Sequence, residues 1–198
     1  DLFDHASGDW FIDQYGVRDF VLSVGVLEPR KNQLMLLYAL RNYHMPIVII
    51  GRSVDRDYDV LCRRFAPPET LFIEHLPHEL LASAYKAARV HALPSWMECA
   101  SFSNIEAALA GCSLVVSDRT SEQEYFGDDA YYCDPANVDS IRHAVVAAYQ
   151  GYKTDAPKRQ RLRHLVRTQY TWKEAANRTI EGYREALANR PAKAGGIG

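Results

Sequence analysis

Residues 92–118 read ALPSWMECASFSNIEAALAGCSLVVSD, in the order strand, loop, helix, strand. An apolar run ends at Leu93, Pro94 stops regular pairing, apolar residues then follow at helical spacing, and Gly111 separates them from the short apolar run 113–117. Glu98 and Glu106 bracket the point where the loop becomes the helix.

The same unit recurs on both sides. FVLSVGV (20–26) suits a strand buried on both faces of a parallel sheet. In the LEPRKN that follows, Pro29 forbids further pairing and Asn32 is suited to cap a helix reaching about Arg41. PIVIIG (46–51) repeats the pattern, Gly51 marking a tight turn or a close backbone approach, and a helix follows over 55–65. Further strands are expected at 71–74, 89–93, 113–117 and 130–133, with helices at 77–88 and 121–126 between them. From Val138 the chain is helical over 139–149, 157–169 and 172–188, the last opened by a capping box, Thr171 to Glu174.

Alternation this regular predicts an α/β fold: a single Rossmann-like, doubly wound domain over 20–188, with a six-stranded parallel sheet and extra C-terminal helices. Residues 1–19 carry aromatics without a clean period and read as a linker with one helical turn; 189–198 reads as a disordered tail. A chain that opens at Asp1 on a polar segment reads as a domain cut from a longer protein.

At 47% apolar and 24% charged, 198 residues suit one domain with a substantial core. The net charge of −2, spread over mixed-sign segments, supplies no field to hold nucleic acid. Cys62, Cys99, Cys112 and Cys133 form no CxxC pair and have no histidine at ligand spacing, so they read as reduced, cytosolic thiols rather than as a disulfide framework or a zinc site. His75, His78 and His91 read as loop or core residues, since no second ligand follows at metal spacing. No run is apolar enough to span a bilayer, and the basic KRQRLRHLVR (158–167) reads as a solvated helix face ahead of a lipid contact.

In an open parallel sheet, ligands bind beyond the carboxyl ends of the strands, where strand order reverses. There the loop after Val26 presents Arg30 and Lys31, which suit either a diphosphate or a solvated basic turn. Glu98 suits either acceptance from ligand hydroxyls or an ion pair with Arg30 or Lys31. The helix starting near Phe102 or Ser103 offers free amides to an anion, and Ser103 to Glu106 fits a capping box equally well. Trp96 suits either the wall of a ligand pocket or packing beneath its loop.

VGVLEPRKN (24–32), PIVIIG (46–51), LPSWMECASFSNIEAALAG (93–111) and SEQEYFGDDAYYCDP (121–135) together resemble the carboxy-terminal half of retaining glycosyltransferases of family 4. These enzymes have the GT-B architecture, two Rossmann-like domains facing each other across a cleft. The most specific signal is E-x7-E, here Glu98 to Glu106, set between LPS and AALAG. The resemblance implies a transferase whose donor is a nucleotide diphosphate sugar, making a polysaccharide or glycolipid without a metal or other cofactor. It implies that Lys31 and Arg30 hold the diphosphate and Glu98 lies beside the donor sugar, these three being the catalytic set. It further implies that Glu106 accepts from the ribose hydroxyls, that Gly25 and the amides of Ser101, Phe102 and Ser103 line the donor, and that the base packs near His75 and Leu76. The partners implied are a glycan or lipid-linked acceptor and an amino-terminal acceptor domain, toward which the last helix crosses back. The place implied is the cytoplasm, with the inner face of the membrane as a peripheral contact.

Val26 stands where many members carry arginine, which leaves the leaving phosphate to Arg30 and Lys31. Glu98-Cys99-Ala100-Ser101 replaces the common Glu-Gly-Phe-Gly, so a positive φ there would be strained. Two other readings compete: a non-catalytic Rossmann-type module that assembles with partner proteins, and a dinucleotide-dependent oxidoreductase, which lacks GxGxxG after the first strand.

Overall fold

The structure, a computed structural model, describes residues 2–99 and 101–189, so the tail expected over 189–198 lies outside it except for Asn189. The chain enters through α1 (Leu2–His5) and α2 (Asp9–Tyr15). Six strands follow: β1 (Phe20–Val24), β2 (Ile47–Ile50), β3 (Leu71–Ile73), β4 (Ala88–Leu93), β5 (Ser113–Ser117) and β6 (Tyr131–Cys133). Between and after them run α3 (Gln33–Leu40), α4 (Arg56–Phe65), α5 (His78–Ala87), α6 (Phe102–Ala110), α7 (Glu122–Phe126), α8 (Val138–Gln150), α9 (Ala156–Gln169) and α10 (Trp172–Ala188).

The strands form one sheet in the order β3-β2-β1-β4-β5-β6, every neighbouring pair parallel, as the alternation predicts. β1, β2 and β5 are buried along their whole length, which is why they read as continuous apolar runs rather than alternating ones. Val21, Ile49, Val90 and Val115 pack on the face covered by α3, α4 and α8. Leu22, Val48, Leu114 and Val116 pack on the face covered by α5, α6 and α9.

Two sequence expectations need correction. Residues 1–19 are not a linker: α1 and α2 bury Phe3 (7% exposed) and Phe11 (0%) in the core, and the Phe11 amide donates to Ser83 Oγ at 3.1 Å. Their aromatics lack one period because they belong to two short helices, each delivering a ring to the same core. Asn32 does not cap α3 with its side chain; its backbone is left-handed (φ 63°) and its amide group is committed elsewhere.

The sheet parts at its centre. Pairing of β1 with β2 runs to Val24↔Ile50, whereas pairing of β1 with β4 ends at Leu22↔His91. Beyond that point the Val24 amide donates to the ring of His91, at Nε2, over 3.3 Å. A side chain thus replaces the backbone partner, and the carboxyl ends of β1 and β4 separate into a crevice.

Gly51 closes β2 with φ 156°, and a Cβ there would lie 1.9 Å from the carbonyl oxygen of Gly25. That contact holds the loop after β1 against the loop after β2. Gly51→Ala is expected to destabilise the fold by roughly 3 kcal/mol or more, because backbone rather than a flexible side chain must yield. Gly16→Ala, at φ 69° with open space around it, should cost only about 1 kcal/mol; equal losses in paired urea melts would contradict the contact.

Candidate functional site

The reversal of strand order between β1 and β4 places the loops after these strands on opposite sides of one crevice. The first loop carries a 3-10 turn, Pro29–Lys31, and the second carries Glu98. Lys31 Nζ lies 2.5 Å from Glu98 Oε1, and Arg30 Nη1 lies 3.5 Å from the same oxygen. Arg30 also donates to Met97 O at 3.0 Å and pairs with Glu28 at 2.6 Å. Lys31 and Glu98 are 13% and 8% exposed while Arg30 is 43% exposed, so the lysine pair is largely desolvated and the arginine faces water. Gly25 lies beneath the lysine, where an added Cβ would sit 3.6 Å from Lys31 Cε. Of the two readings of Glu98, the ion pair is thus realised, at a position that also suits ligand hydroxyls.

The loops are stitched together by backbone. Trp96 N donates to Arg30 O at 2.9 Å, and Asn32 Nδ2 donates to Pro94 O and to Pro135 O, each at 3.0 Å. Trp96 does not pack under its loop; it is 43% exposed, with the Arg119 guanidinium 6.0 Å from its ring.

Glu106 stands on α6 and is not part of a capping box. The helix is capped at Ser101, without a side-chain cap bond, and the Ser101 and Ser103 hydroxyls lie 3.0 Å apart. Glu106 Oε2 accepts from the Tyr85 hydroxyl at 3.1 Å, and Oε1 lies 3.0 Å from His78 Nε2. Burial, with Glu106 adding to it, holds the Tyr85 phenol well above its ordinary pKa, so it stays a donor. A carboxylate offers about four acceptor positions, which leaves Glu106 free ones for a ligand. Phe3 supports this pair from behind, its ring 5.2 Å from His78 and 5.8 Å from Tyr85. The first two helices therefore brace the site, a role no local sequence signal carries.

The remaining expected residues surround these. Ser101 is buried, Ser103 is half-buried and Phe102 is 63% exposed. The first intrahelical bond of α6 runs from Asn104 N to Ser101 O at 3.1 Å, which leaves the amides before it available to an anion. Leu76 packs against the core edge while His75 is exposed. The strain expected from the missing glycines does not arise: Ser101 has φ −82°, and Asp19 and Asn32 are the non-glycine residues with positive φ among those described.

A buried polar group behind this loop escapes sequence reasoning. Glu122 (2% exposed) accepts at Oε1 from Asn104 Nδ2 (0% exposed) over 3.0 Å. His91 is also fully buried, and burial holds its ring neutral with a pKa lowered to about 3. Glu122 Oε2, Asn104 Oδ1 and His91 Nδ1 have no hydrogen-bond partner among the described residues. Burial pushes the Glu122 pKa up to about 7; Asn104 and Lys31 oppose the rise and Glu98 adds to it. Among the described residues, no three His, Cys, Asp or Glu side chains come together as a metal site, and no helix is long and apolar enough to cross a membrane.

The family model for "Glycosyl transferases group 1" matches residues 12–167. The chain belongs to this family. The match begins inside α2, in keeping with the packed amino-terminal helices. The group 1 domain is 28% identical over 183 residues to O-antigen chain mannosyltransferase B of Escherichia coli, covering 86% of this chain and 47% of that protein. It is 24% identical over 189 residues to the serotype-specific mannosyltransferase WbdA of Escherichia coli, covering 88% of this chain and 23% of that protein. In fold it matches sucrose-phosphate synthase from Thermosynechococcus elongatus (TM-score 0.79, 20% identity, 96% of this chain, 51% of that one). It also matches a glycosyltransferase from Rickettsia africae (TM-score 0.78, 15% identity, 96% of this chain, 55% of that one). The group 1 domain thus spans about half or less of the length of these relatives.

The buried acid makes the stability of the domain depend on pH. A carboxyl whose pKa is raised on folding, from 4.5 to about 7, binds more protons folded than unfolded between those values, so stability falls as pH rises through that window. Removing the charge with Glu122→Gln should recover part of ~3 kcal/mol at pH 8 and close to none at pH 5. Thermal melts of both proteins at the two pH values measure this; a gain equal at both would contradict a buried, titrating Glu122.

Proposed function

We propose that this chain is the donor-binding half of a retaining, metal-independent glycosyltransferase that uses a nucleotide diphosphate sugar to build a polysaccharide or glycolipid. The observation that carries this reading is the largely desolvated Lys31–Glu98 pair in the switch-point crevice, with Arg30 beside it, on the loop that leads into α6. Family membership supports it, and the two mannosyltransferase relatives make mannose the sugar we propose first. No observation favours the alternative of a non-catalytic assembly module.

In this reading the diphosphate lies against Arg30, Lys31 and the free amides at the start of α6. The bond from the sugar's anomeric carbon to the diphosphate oxygen breaks, and its electron pair leaves with the phosphate, stabilised by these donors. The oxygen of an acceptor hydroxyl forms the new bond to the anomeric carbon with retained configuration, and its proton passes to the departing diphosphate oxygen. Glu106 accepts from the ribose, Glu98 from the sugar hydroxyls, and the base packs near His75 and Leu76. The acceptor would bind an amino-terminal domain facing this one, at a cytoplasmic site that extends to the inner membrane face for lipid-linked acceptors.

A nucleoside diphosphate present at about one hundred times its Kd should add about 2.7 kcal/mol, or several degrees in Tm. Thermal shift with UDP, GDP, ADP and their sugars should single out one base, and Lys31→Ala or Glu106→Ala should abolish the shift. If no species of the panel moves the melting temperature, the donor-binding reading is lost.

A further inference from the structure

The donor reading leaves α7 without a task, yet its start holds the loop that carries Glu98 at two points. Ser121 Oγ bridges to Glu98 O at 3.3 Å and Cys99 O at 2.8 Å, fixing the loop at Glu98 itself. The next residue, Glu122, accepts from Asn104 in the first turn of α6 at 3.0 Å, fixing the loop where it ends. Glu122 and Asn104 are 2% and 0% exposed, so this anchor is enclosed.

We propose that Ser121 and Glu122 are positioning residues for the donor loop, and that Glu122 takes up a proton when the anionic donor binds. The proposal rests on the donor-binding reading. The charged and titratable groups that face Glu122 are Glu98 from the loop after β4, Lys31 from the turn after β1, and Tyr132 from β6; the neutral His91 lies behind Asn104. In the unliganded domain Lys31 balances Glu98. A diphosphate that engages Lys31 withdraws that balance and adds its own negative charge, so the field at Glu122 turns against an ionised carboxylate. A solvent proton then joins Oε2, the oxygen without a partner among the described residues, while Oε1 keeps the Asn104 bond. Burial already places this carboxyl near neutrality, so the exchange needs no extreme pH.

The test is calorimetric titration with GDP-mannose and UDP-glucose from pH 6 to 8, in buffers of differing ionisation enthalpy; the diphosphate diester of such donors does not titrate in this range. The wild-type protein should take up a proton on binding, with affinity falling roughly threefold to tenfold from pH 6 to 8. Glu122→Gln keeps the Asn104 acceptor and should match wild-type affinity at pH 6 while losing the uptake. Ser121→Ala should weaken binding about tenfold at every pH, and Glu122→Ala about tenfold at pH 6, its affinity no longer falling toward pH 8. Groups outside α7 are the same in wild type and Glu122→Gln, so the difference between the two proteins isolates Glu122. Equal proton uptake in those two proteins, or wild-type affinity in both alanine variants, overturns the proposal. If neither these two nor any other sugar nucleotide of the UDP, GDP and ADP panel binds the wild type, the donor reading itself has failed and the proposal falls with it, an outcome distinct from binding that ignores α7.

Discussion

Two hydrogen bonds from a single amide group, Asn32 Nδ2 to Pro94 O and to Pro135 O, tie together the loops that follow β1, β4 and β6. Asparagine tolerates the left-handed backbone that the chain needs there, and its side chain is 3% exposed, so both bonds are made away from water. The position of Lys31, one residue earlier, is a consequence. The turn delivers its ammonium to Glu98 across the crevice while the same loop offers Arg30 O to the amide of Trp96. A parallel sheet leaves a gap wherever its strand order reverses, and here the gap stays open but rigid because its rims are bonded to each other.

Within that frame the charges are arranged economically. Glu98 accepts both cations in the unliganded domain, standing as an internal anion where the negative groups of a ligand would compete for the same donors. Glu106 is held apart on α6 by a phenol and an imidazole, and Glu122 lies buried behind the loop. Three acids close in sequence therefore have three different electrostatic settings, decided by neighbours from distant parts of the chain.

That distance sets what the sequence discloses. The strands and helices are legible because burial on both faces writes an apolar run, and a helix writes its own period. The crevice residues Arg30, Lys31 and Glu98 are legible because they follow strand ends, where ligands of such sheets bind. Asn32 reads as a cap because its partners lie 62 and 103 residues away, and no local pattern reports them. Glu106 and Ser103 fit a capping box by spacing, yet the carboxylate turns to Tyr85, 21 residues earlier. Glu122 looks like an ordinary acid at the start of a short helix, and only packing against Asn104 makes it interior. The aromatics of residues 3–15 look aperiodic because two helices share them.

α10 stands apart from this bonded frame. Thr171 caps it by accepting from Glu174 N at 3.2 Å, the glutamate half of the box being turned to Asn177 instead. None of its residues is buried, and Trp172, Tyr183 and Leu187 are 81%, 69% and 69% exposed. Seventeen residues of helix without a packed face are marginal in water, so its amides exchange with solvent by fraying rather than by opening of the sheet. The chain therefore holds two cooperative units of very different free energy, and heat or denaturant releases the last helix well before the domain that carries the site.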